Sequence, residues 1–177
     1  MKPGRSLFRL ILGLATAATI GGCNDTVAGL GPPSDPTTET FAPALNVDIA
    51  TMTRHPTGVF YRDSVVGSGG EVVDASDTVW VNYAGYLKDG SLFDSGTNVP
   101  FARGGVIAGF RNGVVGMLVG GSRKLVIPSD QGYGGSSQKN PVTREITIPR
   151  QSTLIFNVTL IKVHTPAATP PVTLRAN

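Results

Sequence analysis

Tyr83 and Asp94 stand on either side of an Asp89-Gly90 pair in the stretch "VNYAGYLKDGSLFDSG" (81–96). Asp-Gly between two apolar runs is a strong two-residue hairpin signal. It would bring the phenol and the carboxylate onto one face. The stretch holds no histidine or cysteine to partner the acid, and Asp89 belongs to the turn. His55 and His164 lie far apart, and neither has a cysteine or carboxylate at metal-ligand spacing. Both read as surface histidines. No Gly-x-Ser-x-Gly elbow is present, and no Gly-Lys-Ser/Thr follows any glycine run. A hydrolase, a metalloenzyme and a nucleotide-binding protein are therefore disfavoured, and no metal or cofactor is called for. Asp94 reads as a hydrogen-bond acceptor that orients the Tyr83 hydroxyl rather than as a general base. Around this pair the sequence supplies aromatic rings: Phe93, Phe101, Phe110, Tyr133 and Phe156. Tyr133 sits in the polar "SDQGYGG", a poor place to hide a ring, and Phe101 follows Pro100 in a loop-like run.

The elements that position these residues are mostly strands. "GVFYRDSVVG" (58–67) reads as a first strand or strand pair, ended by a "GSGG" turn. "DTVWVNYAGYL" (77–87) alternates, with Val79, Val81 and Tyr83 on one face and Trp80, Asn82 and Ala84 on the other. "SLFDS" returns from the turn, and "SRKLVIP" (122–128) is a further strand. In "STLIFNVTLIKV" (152–163), Leu154, Phe156, Val158 and Leu160 share a face, which predicts a sheet with one covered side. "GFRNGVVGMLVGG" (109–121) changes period. Phe110, Val114, Met117 and Leu118 fall at helical spacing, so a short helix is expected there, ending at Gly120-Gly121. Internal Gly113 and Gly116 weaken it by about 1 kcal/mol each relative to alanine. One short helix with several antiparallel strands gives an α+β domain, its sheet wrapped around the helix.

The chain has 177 residues, 40% of them hydrophobic and 15% charged. Its N-terminus has the layout of an export signal. Lys2, Arg5 and Arg9 precede a short apolar run, and small residues then lead to Cys23, the single cysteine. Eleven or so apolar residues are too few to span a bilayer but suit a signal peptide. "IGGC" is similar to a bacterial lipobox, whose cysteine is lipidated and becomes the first mature residue. Removing Lys2, Arg5 and Arg9 from the 15 basic residues leaves 12 against 12 acidic ones, so a nucleic-acid partner is not supported. The expected organisation is a signal peptide over 1–22 and a lipidated cysteine with a disordered tether over 23–47. A folded domain over 48–164 and a disordered tail over 165–177 complete it. The domain would be held at a bacterial membrane, facing the periplasm or the cell exterior.

Four segments, "VNYAGYLKDGSLFDSG", "PFARGGVIAGF", "NGVVGMLVGGSRKLVIPSDQGYG" and "IPRQSTLIFNVTLIKV", resemble in that order the signature segments of FKBP-type peptidyl-prolyl isomerases. Together they cover nearly all of residues 57–163. The resemblance implies a twisted antiparallel sheet curled around one short helix, with an apolar pocket between them. It gives Tyr83, Phe93, Phe101 and Phe156 as pocket walls, Phe110 as the floor and Asp94 as the single pocket carboxylate. Val106 and Ile107 would line the pocket, and the Ile107 N–H would donate to a bound carbonyl. Tyr133 would offer a rim hydroxyl, and Ile148 an apolar rim. Implied partners are proline-containing unfolded or partly folded polypeptides and ligands of the tacrolimus or rapamycin type. The sequence departs from the family in having Phe110 where many members carry tryptophan. It has shorter loops around Phe101 and a longer one over 134–147, expected to overhang the pocket. Isomerase activity is the leading expectation; the alternative is a non-catalytic module or chaperone that binds proline segments.

Overall fold

The computed structural model describes residues 31–165 apart from 73, 75 and 103, so the expected signal peptide, Cys23 and the expected tail from 166 onward lie outside it. In chain order the elements are β1 (Thr53–Arg54), β2 (Phe60–Val65), β3 (Thr78–Leu87), β4 (Leu92–Phe101), helix α1 (Ala108–Val114), β5 (Ser122–Ile127), β6 (Gln138–Lys139), β7 (Ile146–Ile148) and β8 (Leu154–His164). Six of the strands form one antiparallel sheet in the order β1-β2-β5-β8-β3-β4, and β6 and β7 form a separate hairpin. The α+β architecture with one short helix is the expected one.

Alternation builds the inner face. Val79 and Val81 of β3, Leu125 and Ile127 of β5, and Leu154, Phe156, Val158 and Leu160 of β8 are all buried. They pack with Phe110, Val114 and Met117 from the helix and the turn after it. The helix can approach this closely because of two glycines one turn apart. A Cβ on Gly109 would lie 2.3 Å from Ile127 Cγ2, and one on Gly113 would lie 2.8 Å from Leu125 Cδ2. Gly113 thus trades helix propensity for contact with the sheet.

Arg123 fastens this contact. Its side chain is only 5% exposed, and its Nε and Nη2 bind both carboxylate oxygens of Asp63 on β2 at 2.6 and 2.9 Å. Nη1 donates to the carbonyls of Gly113 and Val115 at 2.9 and 2.8 Å, closing the end of the helix. The guanidinium also lies 4.4 Å from the Tyr61 ring centroid.

The helix is shorter than the spacing predicts. It stops at Val114; Val115 is extended and Gly116 takes φ +76°. The backbone beyond it pairs with the segment before β3. Gly116 N–H donates to Val72 O, Val72 N–H to Met117 O, and Val119 N–H to Gly70 O, each at 2.9 Å. Met117 is still buried, but a turn delivers it. The β3–β4 connection also differs, being the four residues Lys88-Asp89-Gly90-Ser91 rather than two. Leu87 N–H donates to Ser91 O at 2.9 Å, and Gly90 takes φ +94°. Pro100 and Phe101, expected in a loop, end β4, an edge strand where a missing N–H is tolerated.

The largest correction concerns the N-terminal segment. The tether expected over 23–47 is packed against the domain throughout its anchored part. Leu45 and Met52 are buried with Phe60, Val126 and Ile155 on the outer face of the sheet, and Phe41, Val47 and Ile49 pack around them. One end of the sheet is therefore covered on both sides, which is why Val126 and Ile155 are apolar where simple alternation asks for polar residues. Further upstream, Ser34 N–H donates to Ser129 Oγ, and Ser129 N–H and the Thr153 hydroxyl donate to Ser34 Oγ, all at 2.8 Å.

Two stability outcomes follow. Leu45→Ala should cost about 2–3 kcal/mol in urea unfolding, as for other buried leucines, whereas Val142→Ala, at a position 87% exposed, should stay within about 0.5 kcal/mol. Gly109→Ala should destabilise by about 1–3 kcal/mol through overpacking against Ile127. An unchanged midpoint for Leu45→Ala would return the segment to the role of a tether.

Candidate functional site

Between the helix and the inner face of the sheet lies a cavity of about 120 Å³ that opens to solvent. Tyr83, Phe93, Asp94, Phe101, Val106, Ile107, Phe110, Tyr133 and Phe156 line it together with Gly105. All the residues expected in the pocket therefore converge except Ile148. That side chain is buried in the main core, in β7 opposite Gln138, and does not border the cavity. The 134–147 segment is the β6–β7 hairpin, and no residue of it is among the lining residues.

Four of the ring pairs meet edge to face, and Tyr83 lies tilted against Phe101 and Phe156. Phe110, 2% exposed, is the hub, with centroids of Phe101 and Phe156 each 5.3 Å away and Tyr83 at 6.4 Å. Phe93 stands perpendicular to Phe156 at 5.5 Å, and Tyr83 lies 5.3 Å from Phe101. Such contacts hold ring orientation beyond simple burial. Two glycines that sequence reasoning missed make room for them. A Cβ on Gly85 would lie 2.7 Å from the Phe93 ring and 2.8 Å from the Phe156 ring. A Cβ on Gly96 would lie 2.9 Å from the Tyr83 ring. Their signal in the sequence was a glycine interrupting a strand pattern, which marks a close approach.

The polar groups are few and placed at the edge. The Tyr83 hydroxyl donates to Asp94 Oδ2 at 2.8 Å, the contact expected from the hairpin. Burial pushes the Tyr83 phenol up to about 12, reinforced by the hydrogen bond to Asp94, the Asp94 charge and the nearby Tyr133. The Tyr133 phenol is also raised, by burial first and by the Asp94 charge second. Tyr133 is 38% exposed. Its loop is set by Gly134 N–H donating to Ser129 O at 2.7 Å and Gln151 N–H donating to Gly134 O at 2.8 Å. Ile107, at the start of the helix, has φ −59° and ψ 150°, and its carbonyl accepts from Phe110 and Arg111. Its own N–H has no acceptor among the described residues.

Comparison with known proteins places this arrangement. A family model described as FKBP-type peptidyl-prolyl cis-trans isomerase matches residues 69–161. An FK506-binding protein of Neisseria meningitidis serogroup B is 37% identical over 113 residues, which are 60% of this chain and 97% of that one. FK506-binding protein 4 of Gibberella zeae is 38% identical over 136 residues, 74% of this chain but only 26% of that longer protein. Among solved structures, a peptidyl-prolyl cis-trans isomerase of Pseudomonas syringae superposes with a TM-score of 0.57 at 31% identity, covering 64% of this chain and 81% of that one.

The raised Tyr83 value has a direct test. Its stabilising contribution is fully present below the ordinary tyrosine value near 10 and is lost as pH rises through about 12. In an ultraviolet titration referenced to Tyr83→Phe, Asp94→Asn should move the Tyr83 transition down, while burial keeps it above the ordinary value. A transition that does not move would show that Asp94 does not hold this proton.

Proposed function

The chain belongs to the FKBP-type peptidyl-prolyl cis-trans isomerase family, and we propose that it accelerates rotation about Xaa-Pro bonds in polypeptide clients. The observation that carries this reading is the convergence of Tyr83, Phe93, Phe101, Phe110 and Phe156 on one small apolar cavity with an unpaired N–H at its mouth. Rotation about an amide faces a barrier of about 18–20 kcal/mol because the planar form is resonance-stabilised. The step moves no proton and forms no covalent bond, so a site without nucleophile or general base suits it.

In this reading the proline ring sits on Phe110, between Phe93 and Phe156, and the preceding carbonyl turns toward the rim. The planar amide is the more dipolar form. Replacing its water with aromatic walls raises the planar state more than the twisted one, in which conjugation is lost. The Ile107 N–H, aimed by the first turn of α1, donates to no acceptor among the described residues and would bind a client carbonyl flanking the proline. The Tyr83 hydroxyl is held by Asp94 and fixes one wall, and Tyr133 offers a second hydroxyl at the rim. Each ~1.4 kcal/mol of preferential binding to the twisted amide gives about tenfold in rate. The same cavity would accept macrolides of the tacrolimus or rapamycin type, in keeping with the FK506-binding names of its relatives.

We further propose that the protein works outside the cytoplasm as a lipoprotein anchored through Cys23, on the strength of the basic leader, the short apolar run and "IGGC".

In a protease-coupled assay with an Xaa-Pro peptide, the Phe110→Ala, Tyr83→Ala double variant should lose at least tenfold in kcat/KM. Asp94→Asn should lose only a few-fold, because it orients a wall without exchanging a proton. A double variant as fast as the parent would refute the catalytic reading, and peptide binding without any acceleration by the parent would favour the non-catalytic binding module. Cys23→Ser should move the protein from the membrane fraction to the soluble fraction with its activity intact; continued membrane association would remove the lipid anchor from this account.

A further inference from the structure

A second cavity, about 490 Å³ and larger than the aromatic one, is a groove on the outer face of the sheet. Its floor is a polar patch laid out by strand register. Arg62 of β2 stands directly opposite Lys124 of β5, Lys124 opposite Asn157 of β8, and Asn157 opposite Ala84 of β3. In the neighbouring row, Ser122 faces Thr159, and Thr159 faces Asn82. The covered apolar end of this face, at Val126 and Ile155, stops where the polar rows begin, and Asn46 of the packed N-terminal segment forms a wall.

Three features separate this patch from an ordinary solvated sheet face. Arg62 and Lys124 form a like-charge cross-strand pair, which is destabilising by itself, and neither has a carboxylate partner among the described residues. No acidic side chain lines the groove. Burial, and then the charge of Arg62, hold the Lys124 ammonium below the usual lysine range. Second, the arginine is pinned in place, with Nη1 donating to Thr51 Oγ1 at 3.1 Å and Nη2 to Asn46 O at 2.9 Å. Third, both asparagines spend their oxygen inside the protein. Asn157 Oδ1 accepts from Lys124 Nζ at 2.6 Å and Asn82 Oδ1 accepts from Asn98 N–H at 2.8 Å. Their amide N–H groups have no acceptor among the described residues, so the groove offers a surplus of donors.

We propose that this groove binds an anionic saccharide, with its charged group on Arg62 and Lys124 and its hydroxyl and ring oxygens along Asn157, Thr159 and Asn82. From β2 to β3 the donors span three strand spacings, about 14 Å. A single phosphate cannot bridge that distance, whereas a short sugar chain with one charged end can. The charge is a carboxylate or a phosphate, two sources of the same chemistry.

Titration calorimetry on the full chain separates the possibilities with maltotriose, its terminal aldonate (maltotrionate), its terminal phosphate ester and inorganic phosphate. At least one charged trisaccharide should bind at least tenfold tighter than both maltotriose and inorganic phosphate, and which one does identifies the charged group. Asn82 and Asn157 side-chain amide signals should shift on binding. Arg62→Gln combined with Lys124→Gln should weaken that binding at least tenfold and leave Xaa-Pro isomerisation unchanged. Equal binding of uncharged maltotriose would overturn the role of the charge, equal binding of inorganic phosphate would overturn the extended ligand, and binding of neither charged trisaccharide would overturn the proposal. Because isomerisation is read separately, failure here leaves the reading of the aromatic cavity untouched.

Discussion

Arg123 is the tie on which the position of the helix depends. A buried guanidinium is stable only when its donors are occupied, and here they reach two separate pieces of chain: Asp63 on β2 and the carbonyls of Gly113 and Val115 where α1 ends. The helix is seven residues long, too short to hold itself together in water. Its shape and its distance from the sheet are therefore imposed from outside. The side chain that caps it belongs to the strand it packs on, and Gly109 and Gly113 let it settle there. Depth follows from that contact, since Phe110 lies between the two glycines and its ring forms the bottom of the aromatic cavity.

The cavity walls obey the same rule of shape before chemistry. Gly85 and Gly96 leave space on the sheet that neighbouring rings occupy, so Phe93, Phe156 and Tyr83 lean where a β-carbon would otherwise stand. Rings packed edge to face cannot turn independently, so the walls of the cavity do not yield. Polarity is confined to the margin: a phenol locked to a carboxylate, a second phenol on a braced loop and one backbone N–H. No member of this set has to change protonation state near neutral pH.

Much of this was legible in the chain. β3 and β8 show their period openly, because one face of each is uniformly apolar, and the family resemblance of four segments placed nine of the cavity's side chains. What was hidden depends on contacts between distant segments. Gly116 and Val119 look like the end of a helix but are recruited by Val72 and Gly70. Pro100 and Phe101 look like a loop because an edge strand tolerates proline without showing it. The family resemblance makes Ile148 a rim residue, yet the β6–β7 hairpin turns it into the core. The proline- and threonine-rich stretch before residue 48 conceals Phe41, Leu45 and Val47 at irregular spacing. The clue to them lay elsewhere, in Val126 and Ile155, two apolar side chains on what should have been a wet face.

The clasp between Ser34, Ser129 and Thr153 alters the mechanics of any attachment through Cys23. With the chain held at Ser34, ten residues lie between that cysteine and the clasp, a span of at most about 40 Å. A tether running to residue 47 would have been about twice as long. Clients would be met within roughly one domain's width of the bilayer surface. A pull from the N-terminal side would load the hydrogen bond from Gln151 Nε2 to the Gly31 carbonyl first and the serine clasp next, and that clasp braces the loop carrying Tyr133.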